Sequence, residues 1–355
     1  MSVRILVFLL LTTLCNTVSA DALSIKPDYP DKYVVVKGDT LWDISAKFLN
    51  EPWRWPEIWQ GNPQINNPHL IYPGDVMRLI QVDGKPQLVV ERGNTSDVRA
   101  AAASVPAPAG NVQKLSPVAH SSSLDTSIPT IPLERIMPFL THSYVIGENE
   151  AESAGYIISS EDGRLIAGAG NNIYVRGLVA GGVNNYTILR IGKPYLNPKK
   201  KSDILGYEAT FVGDAKVRDF GDPATLVITE SNREALKGDR LVPRVDNPLE
   251  DHFTPHPPSF NVEGQIISVL DGASRIGQNQ VIIINLGDAD GMEVGHVVSI
   301  NQEGSTVYDA KKKVKLPDER AGIAMVFRTF ERVSYALVMT AYRDLKIGDM
   351  VGNTN

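Results

Sequence analysis

A nine-residue phrase occurs twice in this chain. Gly155-Tyr-Ile-Ile-Ser-Ser-Glu-Asp-Gly163 returns as Gly264-Gln-Ile-Ile-Ser-Val-Leu-Asp-Gly272, with the frame GxIISxxDG kept. The correspondence continues downstream: Ile173-Tyr-Val175 aligns with Ile282-Ile-Ile284, and the stretch from Thr229 to Lys237-Gly238-Asp239 aligns with that from Thr340 to Lys346-Ile-Gly348-Asp349. A period of about 110 residues is too long for one turn of a solenoid and suits two similar small β domains, or one β fold with internal symmetry. Short apolar runs such as ATLVIT, QVIIINLG and YALVMT, bounded by Gly, Asp and Asn, predict strands throughout. The halves are expected at 131–245 and 260–355, joined by Asp246–Ser259, whose four prolines read as a connector.

The N-terminal third is different. All four tryptophans, Trp42, Trp53, Trp55 and Trp59, fall in one short block. There Thr40, followed three positions on by Asp43, is expected to cap a helix with Leu41, Ile44 and Phe48 on one face. Pro56 opens a second helix through Ile58 and Trp59, and Tyr72-Pro73-Gly74-Asp75 turns into a last strand ending near Ile80. The expectation is βααβ over residues 31–81, with Leu41, Trp42, Ile44, Phe48, Ile58 and Leu79 as core. From 98 to 130 the chain is rich in Ala, Ser and Pro, with AAAASVPAPAG at its centre, and reads as a flexible linker.

The block YVVVKGDTLWDISAKFLNEPWRWPEIWQGNPQINNPHLIYPGDVMRLI resembles a LysM (lysin motif) domain, through V-x-x-G-D-T-L-W at one end and N-P-x-x-I-Y-P-G-D at the other. The resemblance implies a glycan groove between two loops. Gly38, Asp39, Thr40 and Leu41 would form one wall, and Asn66, Pro68, Leu70, Ile71 and Tyr72 the other. Such walls suit an N-acetylated sugar, because backbone N–H and C=O groups can bond its acetamido group while an apolar side chain receives the methyl. Trp53 and Trp55 are candidates for stacking on a sugar ring, with burial in the small core the favoured alternative.

Residues 1–20 read as a secretory signal cut near Ala20: Arg4 precedes the apolar run Ile5–Leu14, and small residues follow. This implies a periplasmic or extracytoplasmic envelope location and no transmembrane segment in the mature chain. The one cysteine, Cys15, lies inside the signal, so the mature chain would have no thiolate nucleophile, thiolate metal site or disulfide. A net charge of −6 disfavours a general nucleic-acid binder. No G-x-S-x-G or H-E-x-x-H pattern is present. His252 and His256 are separated by a proline-bearing stretch that reads as a solvated connector, and the clusters Lys199–Lys201 and Lys311–Lys313 as loop charge.

The fold class expected is therefore α+β: a small LysM domain, a linker, and a mainly β C-terminal region carrying an internal duplication. The function expected is a non-catalytic peptidoglycan-binding protein of the envelope, with no cofactor, no metal and no catalytic residue. Residues 131–355 would contact an envelope protein or the wall. The alternatives are a glycan-processing enzyme targeted by its LysM module and an assembly adaptor for an envelope machine.

Overall fold

The computed structural model describes residues 23–59, 71–91, 128–178, 181–244, 253–270, 275–309 and 312–354. The expected signal segment and most of the expected linker lie outside the described residues.

In the N-terminal module, β1 (Tyr33–Val34) pairs with β2 (Val76–Val82), and two helices, α1 (Leu41–Phe48) and α2 (Trp55–Trp59), lie between them in sequence. Thr40 caps α1 in the expected way. Its hydroxyl accepts the Asp43 N–H at 3.1 Å, and the Asp43 carboxylate accepts the Thr40 N–H in return. A cap of this kind is worth about 1 kcal/mol. Leu41, Ile44, Phe48, Ile58 and Leu79 form the module's core together with Trp55, Trp59 and Ile71. Trp42 is also buried, but it faces out of this core towards the C-terminal region.

The sheet continues past the expected boundary at 81. A third strand, β3 (Lys85–Glu91), pairs along the whole of β2, turning at Asp83-Gly84, where both residues have positive φ. Asp-Gly is the two-residue turn that matches the twist of paired strands.

A helix, α3 (Leu133–Thr141), a strand, β4 (Ser143–Ile146), and a short helix, α4 (Glu148–Ser153), lead into the first β unit. Its strands are β5 (Gly155–Ser160), β6 (Ile166–Ala167), β7 (Asn172–Arg176), β8 (Asn185–Asn197), β9 (Lys200–Asp219), β10 (Ala224–Ser231), β11 (Ala235–Leu236) and β12 (Arg240–Pro243). Pairing runs β5-β7-β10-β9-β8-β12 and returns to β5, because β10 bonds both β7 and β9 while β12 bonds both β8 and β5. β4 adds outside this ring along β9.

The second unit comprises β13 (Gly264–Val269), β14 (Val281–Ile284), β15 (Val297–Gln302), β16 (Thr306–Asp309), β17 (Lys312–Lys315), β18 (Glu319–Thr329), β19 (Ser334–Ala341) and β20 (Met350–Gly352). It is a closed barrel in the order β13-β14-β19-β18-β15-β20. Each strand thus takes the place of its sequence counterpart in the first unit. Register agrees as well: Ile157 faces Val175 and Ser159 faces Tyr174, as Ile266 faces Ile284 and Ser268 faces Ile283, with a bulge at the same step.

A recurrent Gly-Asp turn explains part of this agreement. Gly238 and Gly348 have φ of +94° and +96°, and the following Asp239 and Asp349 carboxylates accept the N–H three residues back, from Leu236 at 2.8 Å and Lys346 at 2.9 Å. The N-terminal module uses the device twice: Asp39 accepts from Val36 at 2.9 Å and Asp75 from Tyr72 at 3.0 Å. An Asp side chain that bonds its own turn is cheap and local, and glycine tolerates the positive φ beside it.

The second barrel is buried on both faces. One set of its side chains, including Ile266, Ile282, Ile284, Val298 and Val338, fills the interior. The alternate set, including Val281, Ile283, Met325, Phe327, Tyr335 and Met339, packs outward against Trp42 and Trp53, against Ile131 and Ile136, and against Tyr195 and Leu205 of the first unit. Double-sided burial accounts for the near-continuous apolar runs VIIIN and YALVM, where β7 instead alternates. Two arginines fasten the packing. Arg328 donates to the Phe139, Leu140 and Ser143 carbonyls around the end of α3, and Arg332 makes a bidentate pair with Asp203 at 2.9 Å.

Two boundaries change. Phe253 is fully buried against the barrel and Pro255 and Pro258 are buried beside it, so 253–258 is packed chain rather than a solvated connector. Likewise Ile128 and Thr130, at the end of the expected linker, are 3% and 1% exposed.

Candidate functional site

Of the nine expected groove residues, Asn66, Pro68 and Leu70 lie outside the described residues. The other six come together at one edge of the N-terminal module, where the turn before α1 faces the turn before β2; their side chains contribute little to its surface. Leu41 and Ile71 are 1% and 0% exposed and belong to the core. The Thr40 hydroxyl is the helix cap, and the Asp39 carboxylate is held by the Val36 N–H and the Tyr33 hydroxyl, each at 2.9 Å. Asp239 and Asp349 hold the same kind of turn in the barrels, so the Asp39 side chain is explained by the turn alone. Gly38 is exposed and Tyr72 half-buried.

What the two expected walls offer among the described residues is backbone: the N–H of Leu41 on one side and the C=O of Ile71 on the other. Both are engaged by the same short segment of this chain. The Ile128 N–H donates to the Ile71 carbonyl at 2.9 Å, and the Pro129 carbonyl accepts the Leu41 N–H at 3.0 Å. The Thr130 carbonyl accepts the Trp42 N–H at 3.2 Å. Beside this segment, Gly38, Thr40 and Asp43 line a cavity of about 260 Å³ with Glu134, Gln278 and Asn279, so the first wall also borders the barrel.

The tryptophans do not serve as an exposed stacking platform. Trp53 and Trp55 are each 3% exposed, Trp53 lying 6.3 Å from Trp42 in the interface with the barrel and Trp55 inside the module's own core.

A second cluster was invisible in the sequence. His256 and His296 form a parallel β-bridge, their rings 4.8 Å apart and edge to face, and Glu293 lies beside them. Burial, and then His256, lower the pKa of His296 below its ordinary value. The ligating atoms of the trio lie within 4.8 Å of one another, but His296 Nδ1 accepts the Glu293 N–H at 3.0 Å. In the neutral ring the proton then sits on Nε2, leaving no lone pair there for a metal. The trio reads as packing between the 253–258 segment and the barrel.

Residues 33–79 match the LysM domain family. This module is a LysM domain. LysM domains are modules for N-acetylglucosamine-containing glycan such as peptidoglycan, and they occur in proteins of the cell envelope or outside the cell. The chain is also similar to the uncharacterized protein YqbP of Bacillus subtilis (strain 168), with 37% identity over 62 residues, which cover 15% of this chain and 28% of that protein. Among the described residues no helix is long and apolar enough to cross a membrane.

Proposed function

We propose that this is a non-catalytic protein of the periplasm or extracytoplasmic envelope, held to peptidoglycan by its LysM cleft, with the two β units forming an internal repeat that contacts a protein or the wall. The observation that carries the reading is the hydrogen-bond complement of the cleft. One wall gives an N–H and the other a C=O, which together match a secondary amide, the group that distinguishes N-acetylglucosamine from glucose. The module's core behind them, which includes Leu41 and Ile71, is apolar and suits the acetyl methyl. Gly38, Leu41, Ile71 and Tyr72 act in this reading through backbone and shape, with Asn66, Pro68 and Leu70 completing the second wall.

The β units favour docking over chemistry. Their carboxylates at corresponding positions, Asp239 and Asp349, are committed to turns, and the histidine pair is packed against backbone. Sedimentation with isolated sacculi tests the reading: the full chain pellets with them, and a chain lacking residues 32–80 stays in the supernatant. Equal sedimentation of the two would place binding elsewhere. Release of soluble muropeptides by the purified protein would instead favour a glycan-processing enzyme.

A further inference from the structure

We propose that residues 128–131 are a built-in occupant of the LysM cleft, which an N-acetylated glycan must displace in order to bind. The inference rests on the glycan-binding reading above and adds a competitor to it. The segment gives the Ile71 carbonyl an N–H from Ile128 and gives the Leu41 N–H a carbonyl from Pro129. The Ile128 N–H and the Pro129 C=O, on two peptide groups separated by a third, stand in for the donor and the acceptor that an acetamido group supplies from one. The Ile128 side chain, 3% exposed and packed with the module's core, takes the apolar place that suits the acetyl methyl. One N–H has one proton to give, so Leu41 cannot serve the segment and a sugar together.

The segment is built to leave as well as to fit. Among the described residues the Thr130 hydroxyl is buried without a hydrogen-bond partner, so release returns it to water. Pro129 has no N–H to add to the pairing, so among the described residues three backbone hydrogen bonds, to Ile71, Leu41 and Trp42, and the packing of the Ile128 side chain hold the segment across the cleft. Its other end is fixed: Ile131 packs with Trp42 and Trp53 against the barrel, and α3 follows, secured by Arg328. Emptying the cleft therefore pulls on the contact between the LysM domain and the barrel. The geometry links glycan occupancy to the state of that contact.

The test uses the full chain and the N-acetylglucosamine hexamer as probe. Hydrogen exchange with saturating hexamer should speed up at Ile128, Thr130 and Ile131 while Leu41 remains protected, and this comparison needs no variant. In parallel, the double variant Ile128→Ser/Ile131→Ser should bind the hexamer at least tenfold more tightly than the wild type in calorimetry. If the hexamer binds both forms equally and the 128–131 amides stay protected, the ligand lies elsewhere and the inference is overturned, while glycan binding stands. If neither form binds hexamer or sacculi although the variant's segment exchanges freely, the glycan reading itself fails and the inference with it.

Discussion

Replacing Arg328 by leucine should release α3 from the barrel. The guanidinium donates to the carbonyls of Phe139 at 3.0 Å, Leu140 at 3.0 Å and Ser143 at 2.7 Å, and it lies over the rings of Tyr144 and Phe330 at 4.7 and 5.0 Å. Burial lowers its pKa from the ordinary value, but an arginine remains charged at neutral pH. Three carbonyls left without a donor cost about 1–3 kcal/mol each, and each cation–π contact about 0.5–2 kcal/mol. Against this, the variant no longer desolvates a charge, a cost of several kcal/mol that offsets much of the loss. The difference between these terms leaves a net destabilisation of about 3–5 kcal/mol. Urea denaturation of the full chain measures it, and hydrogen exchange locates it: amides of 133–146 should open first, the barrel strands later. A loss under about 1 kcal/mol, or opening that begins in the barrel, would refute the assignment of Arg328 as the fastener.

Three further outcomes follow from local geometry. Thr40→Ala should cost about 1 kcal/mol of LysM stability by thermal denaturation and leave hexamer affinity within twofold, because the hydroxyl is a helix cap; a tenfold affinity loss would make it a ligand contact instead. Gly348→Ala should cost about 1–2 kcal/mol, since only its positive φ resists and its Cβ would meet nothing; Gly287→Ala should cost more, because its Cβ would lie inside van der Waals contact of the Phe330 and Glu331 carbonyls. Hydrogen bonding from Arg332, then from Asn197, lowers the Asp203 pKa from 3.8 to about 2. Its contribution is therefore present above pH 3.8 and lost as pH falls towards 2, so Asp203→Asn should flatten the acid limb of stability in that window.

Much of the fold was legible because its signals are local. The capping residues Thr40 and Asp43 fix the start of α1, and the repeated GxIISxxDG frame places Ile157 and Ile266 at equivalent points of two rings. The Gly-Asp steps at 38–39, 74–75, 238–239 and 348–349 mark turns, whereas Gly213-Asp214 lies inside β9, and the Asp83-Gly84 turn that leads into β3 falls beyond the end of the LysM pattern. What stayed hidden depends on partners distant in sequence. Residues 128–130 join the cleft through N–H and C=O groups that every residue type carries, so no side chain advertises the pairing, and the Ala, Ser and Pro around them point to free chain. His256 and His296 meet only because a segment folds back on the barrel. The residue type of Trp53 suits both a sugar platform and burial, with burial the favoured expectation; what the sequence hid is that it is buried against the outward apolar face of the second barrel rather than in the module's own core.

The cleft's preference for an amide is the central claim, and it is measured most directly by binding the full chain to native and to N-deacetylated sacculi side by side. The account predicts retention on the native polymer and a loss of at least tenfold after deacetylation, because the Leu41 N–H and the Ile71 carbonyl then lose their matching partner. Equal retention on both would show that the acetamido group is not what the cleft reads.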